Sequence, residues 1–386
     1  MLTRVGKTAV AAVALAGLLA ACGDDAADTA APETSSETGT EEATGAAAEE
    51  VQAAQAEVEE YVAEPTSIRV ETPLEAKPEG GGTFVWMKCD VGQCTQIGEG
   101  IKEAAEAVGW DYEEISYKSA DPATLVTAMN QALRLQPDAV GLSGLPRAVW
   151  ESAATAYDEA DVPVVVSYTG GGDNVKAPVI GEVGGDADVS EYGAMIGEWF
   201  IADSGAKGNA VLLSVNDFPV LKTFSQSFMG TVEEGCSECS VTEVNATIPQ
   251  VFGGQTVAPL ISAIQKDPSI NYVVTSNMPF VSGITGQLSA AGLEDKVKIA
   301  GESADVEGLQ LLENGTYDAT TGLALHYSGW LMMDMALRHA QGMEVPAGGG
   351  GLPKQLLLPD VDFEIAESYD KPADFREQFK KLWQVG

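Results

Sequence analysis

Four of the five cysteines fall in two tight pairs, Cys89 and Cys94 in "KCDVGQC" and Cys236 and Cys239 in "CSEC". Cysteines at such spacings serve disulfides, thiolate metal sites or thiol redox exchange. A four-cysteine zinc site draws on two tight hooks. "CSEC" has that spacing, but "CDVGQC" puts four residues between its cysteines and lies in the other half of the chain, so no metal is expected. Hydrolytic and phosphoryl-transfer signatures are missing as well: there is no H-E-x-x-H and no G-x-S-x-G, and "GGGGLPK" lacks the spacing and the hydroxyl residue of a phosphate loop. Of the two histidines, His339 ends "MMDMALRHA", where a helix C-terminus favours a cationic side chain. No carboxylate spacing singles out a hydrolytic pair. Neither an enzyme nor a bound cofactor is expected.

The N-terminus sets the compartment. Arg4 and Lys7 precede the apolar run Ala9 to Leu18, too short to cross about 30 Å of hydrocarbon, which marks residues 1–21 as a signal peptide. "LAAC", Leu19 to Cys22, resembles a bacterial lipobox, which implies that Cys22 becomes the lipidated first residue and holds the chain to the outer membrane face. In an oxidising compartment the remaining four cysteines favour local disulfides, Cys89 with Cys94 and Cys236 with Cys239. Residues 22–79 open with many acids, no Lys or Arg before Arg69, and almost no large apolar side chain, the composition of a disordered tether. Only residues 48–62, "AEEVQAAQAEVEEYV", favour a helix, and a marginal one. A net charge of −37 argues against nucleic acid and anionic headgroups as partners.

From about Gly80 the chain is long enough for two cores. Strand candidates "TFVWM", "YEEISY", "AVGLS", "PVVVSY" and "APVIGEV" alternate with amphipathic stretches of helical length. "AVLLSV", "VTEVNA", "YVVTS", "VKIAGE" and "DATTGLAL" then repeat the alternation. The pattern predicts an α/β fold of two doubly wound parallel-sheet lobes. Ligands of open α/β sheets bind beyond the carboxyl ends of the strands, so the cleft between the lobes is the expected site.

With its leader, its two similar halves and the phrases "DPATLVTAMNQALRLQPDAVGLSGLP", "VPVVVSY" and "DATTGLAL", the chain resembles type I periplasmic solute-binding proteins, most of all the ribose and galactose branch. The resemblance implies three hinge passages, near 184–186, near 322–323 and around 347–354. It divides the chain into an N-terminal lobe, residues 80–185 plus 324–346, and a C-terminal lobe, 186–323 plus 347–386. Residues 355–386, with the amphipathic "PADFREQFKKLW", are expected on the C-terminal lobe. Transcriptional repressors share this fold but carry a helix-turn-helix where this chain has its leader and acidic segment, so DNA is not an expected partner.

At the cleft, "CDVGQC" leaves the first strand and presents Asp90, Gln93 and Thr95, and a disulfide there would stiffen the loop before binding. Further strand ends place Ser143, Tyr168, Asp217, Phe218, Asn277, Phe280 and the Glu302-Ser303 tip around the same gap, with Lys222 one helical turn on. Trp86 on the first strand and His326, Tyr327 and Trp330 after the crossover complete the set. The sugar branch has an Asp-Arg pair where this chain reads Tyr168-Thr169, and an Asp where it reads Ser303, while Asn277 and Lys222 match its Asn and Arg. Aromatic residues replace the missing polar groups. The solute is therefore sugar-like, or a less polar aromatic or acidic molecule facing Lys222. Delivery to an ABC permease and its ATPase is expected of a monomeric binder; presentation to a membrane sensor is the alternative.

Overall fold

The structure, a computed structural model, describes residues 38–386 apart from 122, 295, 347–349 and 361–368. The signal peptide, Cys22, the first part of the expected tether and the first three residues of the third expected hinge, 347–349, lie outside the described residues.

Two parallel sheets organise the chain. Strands β1 (Thr83–Lys88), β2 (Asp111–Ser116), β3 (Ala139–Ser143), β4 (Val164–Ser167) and β5 (Val179–Val183) form the first, in the order β2-β1-β3-β4-β5. Strands β6 (Asn209–Ser214), β7 (Ser240–Asn245), β8 (Tyr272–Thr275), β9 (Lys298–Gly301) and β10 (Ala319–Thr321) form the second, in the order β10-β9-β8-β6-β7. Read from its other edge, the second sheet repeats the order of the first. A short strand β11 (Leu356–Leu357) joins β10 antiparallel. Central strands such as "AVGLS" and "VVVS" are buried along their whole length because helices cover both faces, whereas the edge strands β2 and β7 are largely exposed.

The helices are α1 (Thr38–Tyr61), α2 (Gly92–Val108), α3 (Ala123–Leu133), α4 (Arg147–Glu159), α5 (Asp186–Ser204), α6 (Pro219–Gly235), α7 (Ile248–Phe252), α8 (Val257–Lys266), α9 (Ile284–Ala290), α10 (Val306–Glu313), α11 (Leu325–Ala340) and α12 (Phe375–Leu382). The chain leaves the first sheet through Gly184 and Gly185, and α5 packs on α6 and β10 of the second lobe. It returns through residues 322–324 into α11, which lies against α2, β4 and β5. Gly184 has φ +64°, and a Cβ there would stand 2.1 Å from a ring carbon of Tyr168, so both conformation and space call for glycine.

Two expectations are corrected. The segment read as an unfolded tether is ordered from α1 onward. Ala54 is buried, Val51, Val58 and Tyr61 pack on the core, and Glu50 accepts a hydrogen bond from the Ser237 N–H at 3.1 Å. Residues 68–76 then run along α11 and α12: the Arg69 N–H donates to the Tyr327 hydroxyl (3.1 Å), Arg338 to the Thr72 carbonyl (2.6 Å) and the Leu74 N–H to the Leu382 carbonyl (3.2 Å). Composition judged the segment alone, whereas the apolar surface it covers comes from distant parts of the chain.

The C-terminal helix also sits elsewhere than expected. β11 belongs to the second sheet, but α12 packs on α11 of the first lobe. Phe375, Phe379 and Trp383 are buried there, Trp383 stacks on Trp330 at 5.1 Å, and its indole donates to Asp334 at 2.7 Å. Asp334 also holds Arg338 at 2.6 Å, so this buried carboxylate is paired. Trp383→Ala should lower unfolding free energy by about 3–5 kcal/mol in urea titration. A loss below about 1 kcal/mol would contradict α12 as an anchored part of the first lobe.

Candidate functional site

The carboxyl ends of both sheets converge on a cavity of about 390 Å³. After β1, Cys89 and Cys94 stand at disulfide distance with Cα atoms 5.6 Å apart, and both line the cavity. The Trp86 indole donates to the Cys94 carbonyl at 3.0 Å and fixes the loop from beneath. Cys236 and Cys239 form the second pair at the start of β7, outside the cavity lining. The first turn of α2 aims Gln93 across the gap, where its amide donates to the Ser303 hydroxyl at 2.8 Å. The two lobes therefore touch over the cavity.

Ser143 ends β3 with Leu145 just beyond it, and Tyr168 follows β4. Tyr168 has φ +53° and is held by a 2.8 Å hydrogen bond between its hydroxyl and that of Ser328. Ser303 on the facing lobe has φ +61°. Two non-glycine residues in the left-handed region on opposite walls are the local strain expected where a ligand is gripped. From the second lobe come Phe218 after β6, Asn277 and Phe280 after β8, and Glu302 and Ser303 after β9.

Seven expected residues thus meet in one lining: Gln93, Ser143, Tyr168, Phe218, Asn277, Phe280 and Ser303. Eight lie outside it. Trp86 is core. Asp90 accepts the Ser119 N–H at 3.0 Å, Asp217 accepts the Ile248 N–H at 3.1 Å, and Lys222 is exposed. Thr95 is half-buried on α2 behind the disulfide. His326, Tyr327 and Trp330 face α2 and α12: His326 meets Asp370 at 3.0 Å and Glu99 at 3.3 Å, while Trp330 donates to Glu103 at 3.3 Å. Burial alone would lower the His326 pKa, but those carboxylates raise it. The aromatics after the crossover strand dock the C-terminal helix because α11 starts within four residues of β10 and carries them onto the first lobe.

Sequence reasoning took strand tips and, Gln93 apart, missed the first turn of the helices that follow. Leu221 on α6 and Val306 and Leu309 on α10 line the cavity from such positions, as does Phe252 at the end of α7. A rule that reads the first buried positions after each tip would have found Leu221 and Leu309. The cavity lining, among the described residues, contains no Lys, Arg or His. Nor do the described residues gather three or more metal-ligating side chains anywhere.

Glu302 and Asn277 stand out. Glu302 is 3% exposed, its carboxylate makes no hydrogen bond among the described residues, and burial pushes its pKa up to about 8. Asn277 is 8% exposed, and its Oδ1 is buried without a partner among the described residues.

The family model described as the periplasmic binding protein domain matches residues 84–344, a span that runs from β1 past α11. The chain belongs to the periplasmic binding protein family. This family acts outside the cytoplasm, and no helix among the described residues is long and apolar enough to cross a membrane. No curated protein matches the chain. Among solved structures, it is similar to GanP, a glucose-galactose binding protein from Geobacillus stearothermophilus, with TM-score 0.63, 19% identity, and coverage of 74% of this chain and 100% of that one. A solute-binding protein of Actinobacillus succinogenes 130z with bound D-allose gives TM-score 0.64 at 14% identity, covering 73% of this chain and 98% of that one. A periplasmic ribose ABC transporter structure from Conexibacter woesei gives TM-score 0.62 at 16% identity, covering 74% and 94%. At these identities the likeness speaks for the two-lobed type I fold of this periplasmic binding protein.

Glu302 binds a proton in the folded protein at pH values where an unfolded carboxyl has lost it. The stability from that difference is complete below the ordinary carboxylate range and is lost as pH rises through about 8. The thermal midpoint should therefore fall from about pH 5 to 9 less steeply in Glu302→Gln than in the parent. Parallel curves would contradict a buried, uncompensated carboxyl.

Proposed function

We propose that the protein is a lipid-anchored solute-binding protein that captures a small solute between its lobes and delivers it to an ABC permease and its ATPase. The observation that carries this reading is a cavity walled by the carboxyl ends of both sheets, with glycine-containing passages between the lobes. A ligand touching both walls binds the closed arrangement better than any open one, so binding itself shifts the population towards closure. The family match and the sugar ligands named for the similar structures support a small polar solute. Cys22 is the proposed lipid attachment point.

The walls narrow the solute class. Phe218, Phe252, Phe280, Leu145 and Leu309 give an apolar surface, while Gln93, Ser143, Asn277 and Ser303 supply hydrogen bonds. With Lys222 outside the lining, no cationic side chain among the described residues is placed to receive a carboxylate. A solute with an apolar face, donor groups and no negative charge fits best.

Thermal unfolding against sugars, polyols, alcohols, amines and carboxylic acids tests the reading, because a ligand that binds only the folded state raises the midpoint. For the solute that does so, Phe218→Ala and Asn277→Ala should each weaken affinity about tenfold or more in calorimetry, and Lys222→Ala should leave it unchanged. Normal affinity in both cleft variants would sink this placement of the site. Cys22→Ser should move the protein from the membrane to the soluble fraction; unchanged membrane association would remove the lipid anchor.

A further inference from the structure

The least expected group in the cavity wall is Glu302. It directly follows β9, where the chain delivers it into the cleft, and it is buried with no cation opposite it among the lining residues. A charged carboxylate taken out of water without a partner is strongly disfavoured, and a buried pair is tolerable only when both charges are satisfied. The ionisable groups around it do not provide the partner. Tyr168 on the first lobe and Tyr192 on α5 feel its charge, and burial holds both hydroxyls far above their usual range. Asp305 and Glu307 at the start of α10 are acids, and Asp188 on α5 is paired with Lys354 at 3.1 Å. After the neighbouring strand β8, where the Met278 N–H donates to the Glu302 carbonyl at 2.8 Å, the Asn277 Oδ1 is a second buried acceptor without a donor among the described residues.

The rest of the wall mixes aliphatic side chains such as Leu145, Leu221 and Leu309 with the aromatic rings of Tyr117, Tyr168, Phe218, Phe252, Phe280 and Tyr369. Ring faces attract cations, most strongly where water is excluded. Among the described lining residues a carboxylate solute would meet three acids, Glu302, Asp305 and Glu307, and no base. A neutral polyol would satisfy Asn277 and leave Glu302 as a protonated acid. We propose, resting on the solute-capture reading above, that the cleft takes an organic ammonium solute, a protonated amine on an apolar or lightly hydroxylated skeleton, with the Glu302 carboxylate as counter-ion and Asn277 Oδ1 as a second acceptor. In the empty cleft the Glu302 carboxyl keeps its proton near neutral pH. Arrival of the ammonium favours the ionised form, so that proton passes to solvent as the ion pair forms.

The test is calorimetric titration of the full chain with matched probes: phenethylamine against 2-phenylethanol, cyclohexylamine against cyclohexanol, and D-glucosamine against D-glucose, with 3-phenylpropionate as the anion. At least one amine should bind about tenfold more tightly than its hydroxyl counterpart, the carboxylate should be silent, and binding heats near pH 7 in buffers of different ionisation enthalpy should report proton release. Glu302→Gln should lose the amine preference and the proton release while still unfolding cooperatively. If a hydroxyl probe binds as tightly as its amine and Glu302→Gln changes neither, the ammonium assignment is overturned and solute capture stands. If sugars alone raise the midpoint and no amine binds, the result is the same. Silence from every class of solute overturns both.

Discussion

A parallel strand can be followed in its own sheet only after a crossover that carries the chain back to the end where it started. Every connection that leaves the carboxyl end of a sheet therefore gathers in one loop cluster, and the order β2-β1-β3-β4-β5 opens a gap in that cluster where the winding reverses. The second lobe repeats the plan. Because the two clusters face each other, residues far apart in sequence, such as Gln93 and Ser303, meet at 2.8 Å across one cavity. Fold and site are in this sense one consequence of parallel winding.

The passages between the lobes are built unevenly. Gly184 bends beside Tyr168, where no larger residue fits, and residues 322–324 feed directly into the buried helix α11. Three further links join the lobes: the chain before Thr83 runs from α1, near α5, to α11 and α12, the chain from α11 to β11 passes from the first lobe to the second sheet, and the chain after β11 returns to α12. Aromatic stacking of Trp330 on Trp383 and the Asp334 pairs fix α12 to the first lobe, so any movement of the lobes must be taken up in the short segments between these anchors.

The fold was legible because its signal is periodic. Buried central strands read as continuous apolar runs, and each quoted run contains a strand of the two sheets, although in "DATTGLAL" only Ala319–Thr321 is strand and Leu325 already opens α11. Both cysteine pairs were legible from compartment and spacing, and they stand at disulfide distance. The site was legible only at strand tips. Asn277 and Tyr168 occupy tips and line the cavity, whereas Leu309 enters from the helix that follows a tip, a geometry that strand pattern does not encode. His326, Tyr327 and Trp330 were misplaced because their partners, Asp370, Phe375, Phe379 and Trp383, lie about fifty residues further on, and no local rule links the two. The acidic N-terminal segment failed for the same reason, since α1 meets α5 and Ser237, and residues 68–76 meet α11 and α12, all far along the chain.

The central claim is that solute binding and lobe closure are one equilibrium. Its most direct measurement is the distance distribution between spin labels on Gln131→Cys in α3 and Gln265→Cys in α8, both exposed and on opposite lobes. Pulsed electron resonance would record it without solute and with a saturating amount of whichever solute raises the unfolding midpoint. The account predicts a broad distribution without solute that narrows to one set of distances when solute is bound. A single unchanged distribution in both conditions would contradict it, because a cleft that does not respond to its occupant is not held closed by it.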